Sequence, residues 1–142
     1  MKISAKTEYA CIAMLELAER YGVGEPVRIR SIAEEHGIPS RFLVQILLQL
    51  KGAGLVASTR GASGGYQLVK PPDEISLAEV MHVIEGADEP IASSASSESV
   101  AAKVLCAAWQ EVADVQQEML RSITFAELID RARAQSENMY YI

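Results

Sequence analysis

The sequence predicts a mostly α-helical fold with a small β-wing, in which a winged helix-turn-helix domain is followed by a long C-terminal dimerisation helix. The first observation comes from residues 31–68, where two helical segments flank Gly37-Ile38-Pro39 and a Gly-rich loop separates two short apolar strands. The second comes from residues 99–122, where apolar side chains recur at alternating steps of three and four residues.

Apolar spacing and glycines define the first two helices. The first helix is expected to run from just after Ser4 to about Tyr21, because apolar residues recur at helical spacing between Ala10 and Tyr21. Residues 27–29 can form a short strand that pairs with the wing. The second helix is expected over residues 31–36, with Gly37 at its C-cap.

The third helix and the wing complete the helix-turn-helix pattern. Ser40 is expected to be the N-cap of a helix that ends near Gly52 and buries the stripe Leu43, Ile46, Leu47 and Leu50. Residues 55–60 and 66–69 are β-prone, and the glycines between them can adopt the positive φ that a turn requires. This pair of strands is the predicted wing.

The remaining elements divide the chain into three parts. Ser76 is expected to cap a fourth helix that ends near Glu85, and a capping box at residues 124–127 starts a last helix that ends near Arg133. Residues 87–98 have no periodicity and are predicted to be a polar loop. We therefore expect a winged helix-turn-helix domain at 1–86, the loop at 87–98, and the dimerisation and C-terminal helices at 99–142.

The long helix carries an apolar seam that requires a partner. Its residues are Leu105, Ala108, Val112, Val115 and Met119. The spacing is that of a coiled coil, and a second copy in a two-fold homodimer is the simplest partner. The alternative is that the seam packs against the chain's own N-terminal domain.

Composition limits the classes of protein that fit. The 142 residues are 49% hydrophobic, yet no apolar run approaches the roughly 20 residues that cross a bilayer, so we expect no membrane span. The N-terminus leads into an amphipathic helix rather than a signal peptide, which predicts a cytoplasmic protein. The two cysteines lie far apart, so reduced thiols are expected.

Charge is distributed unevenly along the chain. Residues 1–70 contain nine Lys and Arg against six Asp and Glu, whereas residues 71–142 contain four against thirteen. The positive N-terminal part can neutralise phosphates, and the acidic remainder repels DNA from the wrong face. This asymmetry favours double-stranded DNA as a partner.

The sequence gives no sign of catalysis. It contains no Ser/His/Asp or Cys/His grouping, no phosphate-binding loop after a strand and no evident carboxylate pair. His36, His82 and Cys106 lack the spacing of zinc ligands, so no metal site is expected. An enzyme is therefore the weakest interpretation.

Five segments together resemble a known family. They are KTEYACIAMLELA, IAEEHGIPSRFLVQILLQLKGAGLV, RGASGGYQL, ISLAEVMHVIEG and ITFAEL, which span nearly the whole chain. In this order they resemble the IscR/NsrR/CymR family of bacterial winged-helix transcription regulators (the Rrf-two family). The resemblance implies a homodimeric regulator, most simply a repressor, that binds palindromic promoter DNA.

Several members of that family hold an iron-sulfur cluster on three cysteines in the loop before the long helix, sometimes with a histidine. This loop instead contains serines, and alignment on Trp109 places Lys103 and Cys106 at the positions of the third cysteine and the histidine. One thiol near the loop cannot supply the usual cysteine ligation. We therefore predict no cluster and no other cofactor.

The candidate DNA-binding residues belong to the third helix, the wing and their flanks. Arg and Gln side chains on the helix can pair with guanine and adenine edges, and an Arg at the wing tip can enter a narrow minor groove. Serine, backbone amides and flanking cations can bind phosphate. The residues are Ser40, Arg41 and Gln45 on the helix, Arg60, Gly61, Ser63, Gly64 and Gly65 in the wing, and Lys6, Arg28, Arg30 and Lys51 around them.

Two alternatives remain open from the sequence. The winged helix can instead be a protein-interaction module, or Cys106 can be a redox-sensing thiol that changes the angle between the two DNA-binding heads. A small buried residue at the dimer interface is the plainer interpretation of Cys106. The effector stays undetermined: a small metabolite, an oxidant, a regulatory protein or none.

Overall fold

The computed structural model describes residues 1–140 and shows six α-helices with a two-stranded antiparallel sheet, as the sequence predicts. The elements are α1 (Ala5–Glu19), α2 (Ile29–His36), α3 (Ser40–Gly52), β1 (Val56–Thr59), β2 (Gly65–Leu68), a 3-10 turn (Pro72–Glu74), α4 (Leu77–Glu85), α5 (Val100–Ser122) and α6 (Phe125–Tyr140). The mostly helical winged fold is confirmed. No helix within residues 1–140 is both long and apolar enough to cross a membrane.

Helix α1 is shorter than predicted. Ser4 caps it, with its Oγ accepting a hydrogen bond from the backbone N–H of Thr7 at 3.1 Å. The helix ends at Glu19 rather than Tyr21, because the chain turns through Gly22 and Gly24, which both have positive φ. Tyr21 therefore lies outside the helix and is 42% exposed, although the helical spacing included it.

Helix α2 is longer than predicted, and it replaces most of the predicted strand at residues 27–29. The helix begins at Ile29, which leaves only Val27 to pair with the wing. Val27 exchanges two backbone hydrogen bonds with Tyr66, of 2.9 and 2.8 Å. Gly37 ends the helix in the left-handed conformation (φ 65°), as its C-cap role predicts.

Helix α3 begins without the predicted serine cap. Pro39 is the N-cap residue and Ser40 is the first helical residue, with no side-chain cap hydrogen bond. Proline fixes an extended backbone before the helix, and its carbonyl accepts the first helical bonds from Phe42 and Leu43. The predicted stripe of four residues is confirmed, since each is fully buried.

The hydrophobic core joins the N-terminal helices to the last one. Residues from α1, α3, α4, the wing and α6 form one cluster, and Phe125 and Ile129 of α6 are 0% and 5% exposed within it. Helix α6 is longer than predicted: it ends at Tyr140 instead of Arg133, since no Gly or Pro interrupts residues 134–140. The three-part division of the chain stays a prediction, with the addition that α6 packs against α1.

Helix α5 leaves the core and is almost entirely solvent-exposed. Ser99 caps it by accepting a hydrogen bond from the backbone N–H of Ala102, and Leu120 is its one buried residue. Residues 87–98 before it form neither helix nor strand, as predicted. The backbone N–H of Ile91 donates to Oε1 of Gln110 at 3.0 Å, which attaches the loop to α5.

Candidate nucleic-acid interface

The exposed face of α3 carries the predicted base-reading residues. Ser40, Arg41 and Gln45 are exposed and lie opposite the buried stripe. The guanidinium carbon of Arg41 lies 5.1 Å from the centroid of the Phe42 ring, a cation–π distance that holds the side chain over that ring. Val44 and Leu48 are 42% and 55% exposed beside them. This face therefore combines hydrogen-bonding groups with apolar groups that can contact thymine methyls.

The wing is a tight hairpin with close backbone contacts. Thr59 pairs with Gly65 at the end of the antiparallel ladder. A Cβ on Gly64 would lie 2.2 Å from the Thr59 carbonyl oxygen, and one on Gly65 would lie 2.4 Å from the carbonyl oxygen of Val27. Gly61 has φ 108°, which favours glycine. These glycines therefore shape the wing, and Arg60 and Ser63 are exposed at its tip.

Two of the predicted flanking cations are attached to the wing. The Arg28 guanidinium donates to the backbone carbonyl of Ala62, and Nζ of Lys51 donates to Oγ of Ser58 at 2.7 Å. These contacts connect the start of α2 and the end of α3 to the hairpin. The wing is thus held against the helix-turn-helix by side chains as well as by the Val27–Tyr66 bridge.

The other two flanking cations, Arg30 and Lys6, are also exposed to solvent. Nε of Arg30 lies 3.0 Å from a carboxylate oxygen of Glu34 one turn further along α2, and both side chains are largely in water. An ion pair of this kind contributes little free energy, so Arg30 can exchange Glu34 for another anion. Lys6 lies on the exposed side of α1. The structure does not bring Lys6 into hydrogen-bonding contact with the wing or α3 within the described residues.

The apolar seam of α5 is exposed in the single chain. Leu105, Val112, Val115 and Met119 are 50–70% exposed. The alternative that the seam packs against its own N-terminal domain is therefore wrong. Val104 and Trp109 extend the exposed apolar face on both sides of the predicted seam. Coiled-coil spacing did not include them, although their apolar character in the sequence indicates a wider apolar face.

The two cysteines differ in environment. Cys11 packs against the core, where burial and, to a lesser extent, the carboxylate of Glu85 raise the pKa of its thiol to about 11. That thiol is protonated at neutral pH and is a poor nucleophile. Cys106 is half-buried on α5, next to the exposed Leu105. Both thiols are partly buried, and they differ in that Cys11 packs against the core whereas Cys106 lies on α5.

An open cleft lies between α4, α5 and the loop, and the sequence did not predict it. Its volume is about 1040 Å³, and its lining includes His82, Glu85, Asp88 and Arg121. Glu85 also accepts a hydrogen bond from the buried hydroxyl of Thr7 at 2.7 Å. This hydrogen bond joins one lining residue of the cleft to the start of α1.

Comparisons with known proteins agree on one family. The sequence profile described as Rrf2, iron-dependent transcriptional regulator, matches residues 3–131. The regulator CymR of Bacillus subtilis is 35% identical over 143 residues, covering the whole of both chains. The solved structure of CymR, described as the global cysteine regulator of B. subtilis, superposes with a TM-score of 0.81 at 36% identity, covering 92% of this chain and 98% of that one. The structure of T. potens IscR gives a TM-score of 0.76 at 35% identity, covering 93% and 88%.

The residues of this chain do not fit a cysteine-ligated iron-sulfur cluster. Such clusters are held mainly by cysteine thiolates. Cys11 is packed against the core in α1, Cys106 is on α5, and the loop before α5 contains serines in place of cysteines. The matching family is described as iron-dependent, but this chain lacks the cysteines that usually bind an iron-sulfur cluster.

Proposed function

Because this chain belongs to the Rrf2 family of transcriptional regulators, we propose that it is a homodimeric repressor that reads palindromic promoter DNA in the cytoplasm without an iron-sulfur cluster. DNA binding and regulation are what the family and its relatives support directly. Homodimer, palindrome, repression and the absence of a cluster are the finer parts of the proposal.

The observation that carries this proposal is the joining of α3 and the wing into one exposed surface. Arg41 and Gln45 on α3 are free to meet base edges in the major groove. The contacts of Arg28 and Lys51 hold the wing beside that helix. Arg60 at the wing tip is then in position to enter an adjacent minor groove, where negative potential attracts a guanidinium group.

The seam of α5 supports the dimeric part of the proposal. Leaving so many large apolar side chains in water is unfavourable, and burying them against a second copy removes that cost. A two-fold dimer presents two identical reading heads, which is the symmetry of a palindromic operator. Repression follows if the bound dimer covers promoter DNA.

The test is a titration of purified, reduced protein against duplex DNA from upstream of its own gene, at two salt concentrations, with an unrelated duplex as a control. We expect selective binding that weakens steeply with salt, because phosphate contacts release counterions. Arg60→Ala and Arg41→Ala should each weaken specific binding by about 5- to 150-fold, the equivalent of roughly 1–3 kcal/mol.

Lys103→Ala is the matched control, since it removes one positive charge from α5, outside the proposed DNA surface. We expect it to leave the affinity nearly unchanged. Equal losses in Arg60→Ala and Lys103→Ala would contradict the proposed surface. Unselective binding by the unaltered protein would contradict direct operator reading and favour the protein-interaction alternative.

A further inference from the structure

Among the residues that the structure describes, one group of three side chains brings metal-ligating atoms together. Glu16 of α1 and the consecutive residues Glu35 and His36 of α2 each place one ligand atom within 4.8 Å of the others. Glu16 and His36 are 20 positions apart in the sequence, so residue spacing did not reveal the group. The group lies where α2 ends, just before the turn that leads to α3.

The distances are close to those of a coordination shell. Nε2 of His36 lies 2.8 Å from Oε1 of Glu16 and 4.0 Å from Oε2 of Glu35. Ligands about 2.0–2.1 Å from a shared ion in tetrahedral or octahedral geometry are roughly 3 Å from each other. The Glu16–His36 pair already has this separation. The ligand atoms all lie within 4.8 Å of one another, and the Glu35 side chain is 58% exposed, which gives its carboxylate the freedom to move closer to the other two.

The burial of Glu16 gives an independent reason for a cation at this point. Only 11% of its side chain is exposed, and within residues 1–140 His36 is the one basic group at ion-pair distance from it. An imidazole carries a positive charge only when it is protonated. A buried carboxylate is costly unless a charge or hydrogen bonds compensate it, and a divalent ion would do so for Glu16 and Glu35 together.

We propose that Glu16, Glu35 and His36 bind a divalent transition-metal ion that joins α1 to the end of α2. The ligand set defines the class of ion: an imidazole nitrogen favours zinc and its first-row neighbours, while carboxylates alone would favour magnesium or calcium. Water molecules would complete the shell on the exposed side, where Glu35 and His36 face solvent. The ion would hold α2 against α1 immediately before the Gly37–Pro39 turn.

The experiment is a calorimetric titration of the full chain with zinc chloride, performed on Cys106→Ser protein because thiolates also bind zinc. We expect one zinc ion per chain and an increase in the thermal unfolding temperature, since a ligand that binds the native state stabilises it. Glu35→Gln and His36→Gln should each weaken zinc binding at least tenfold. Magnesium at the same concentrations should give no comparable binding.

Glu34→Gln is the matched control, because it removes the same charge from the neighbouring residue, which pairs with Arg30 instead. It should bind zinc like the parent protein. Unchanged zinc affinity in Glu35→Gln and His36→Gln, an equal loss in Glu34→Gln, or equal binding of magnesium would each overturn the site. The exposed Glu35 keeps the test valid if His36→Gln unfolds. The titration contains no DNA, so its outcome is independent of the proposed regulatory function.

Discussion

Gly64 and Gly65 are the residues on which the shape of the wing most directly depends. Neither has room for a methyl group, because backbone carbonyl oxygens lie where a Cβ would be. Those oxygens belong to the wing itself and to Val27, so the glycines let the hairpin close on itself and against the chain before α2. The sequence predicted both a Gly-rich turn and a pairing of residues 27–29 with the wing; it did not predict how closely Gly65 approaches the Val27 carbonyl.

Gly64→Ala should destabilise the protein by about 1–3 kcal/mol, because its Cβ would overlap the Thr59 carbonyl oxygen and the backbone must move. Gly52→Ala is the control: it adds the same methyl group at a helical position with nothing within 4 Å. That change should be neutral or stabilise the protein by up to about 1 kcal/mol. Urea denaturation measures both. Similar unfolding free energies for the two variants would contradict this account of the wing.

Helix α6 is the element whose placement the sequence predicted least well. One half of its predicted capping box forms, since the backbone N–H of Glu127 donates to Oγ1 of Thr124 at 3.1 Å, whereas the Glu127 carboxylate accepts from Arg131 at 2.9 Å. Its start is also tied to the chain before α4, because the N–H of Phe125 donates to the carbonyl of Ile75 at 2.9 Å. Phe125 consequently enters the N-terminal core, although the sequence grouped this helix with the dimerisation helix.

Phe125→Ala should therefore cost about 3–5 kcal/mol of unfolding free energy, the range for deleting a fully buried aromatic side chain. Phe42→Ala is matched in chemistry but removes a ring that is 41% exposed, so it should cost clearly less. Chemical denaturation of both variants gives the comparison. A small loss for Phe125→Ala would mean that α6 is not part of the core that stabilises the reading head.

The exposed side of α5 carries a long row of apolar side chains, and the candidate reading surface lies elsewhere, on α3 and the wing. The seam is continuous over four turns and flanked by Val104 and Trp109, which gives a partner helix a wide face to cover. Assembly through α5 would leave the two α3 helices free for DNA.

Val112→Asp should convert a dimer to a monomer, because a carboxylate in the centre of the seam would be buried without a partner. Lys103→Asp introduces the same group nine residues earlier, which is about two and a half turns and thus the opposite side of α5. The control should remain dimeric. Light scattering coupled to size-exclusion chromatography measures both masses. A monomeric unaltered protein, or two dimeric variants, would exclude assembly through this seam.

Short-range patterns in the sequence were enough for most elements. The 3.6-residue spacing of the α3 stripe, the serine cap of α4 and the glycine after α2 each depend on neighbours within a few residues. The wrong predictions concern the ends of elements, where two local signals compete for the same residues. Pro39 rather than Ser40 is the N-cap of α3, and α2 begins within the segment that was expected to form a strand.

The sequence by itself determined the winged helix-turn-helix, the polar loop and the apolar seam, because periodicity and turn chemistry are local properties of the chain. Only the tertiary structure decided which distant side chains meet. Packing of α1 against α2 brings Glu16 to His36, closure of the hairpin brings Ala62 to Arg28, and docking of α6 brings Phe125 into the core. These contacts depend on how whole elements pack, and local spacing along the chain does not specify that.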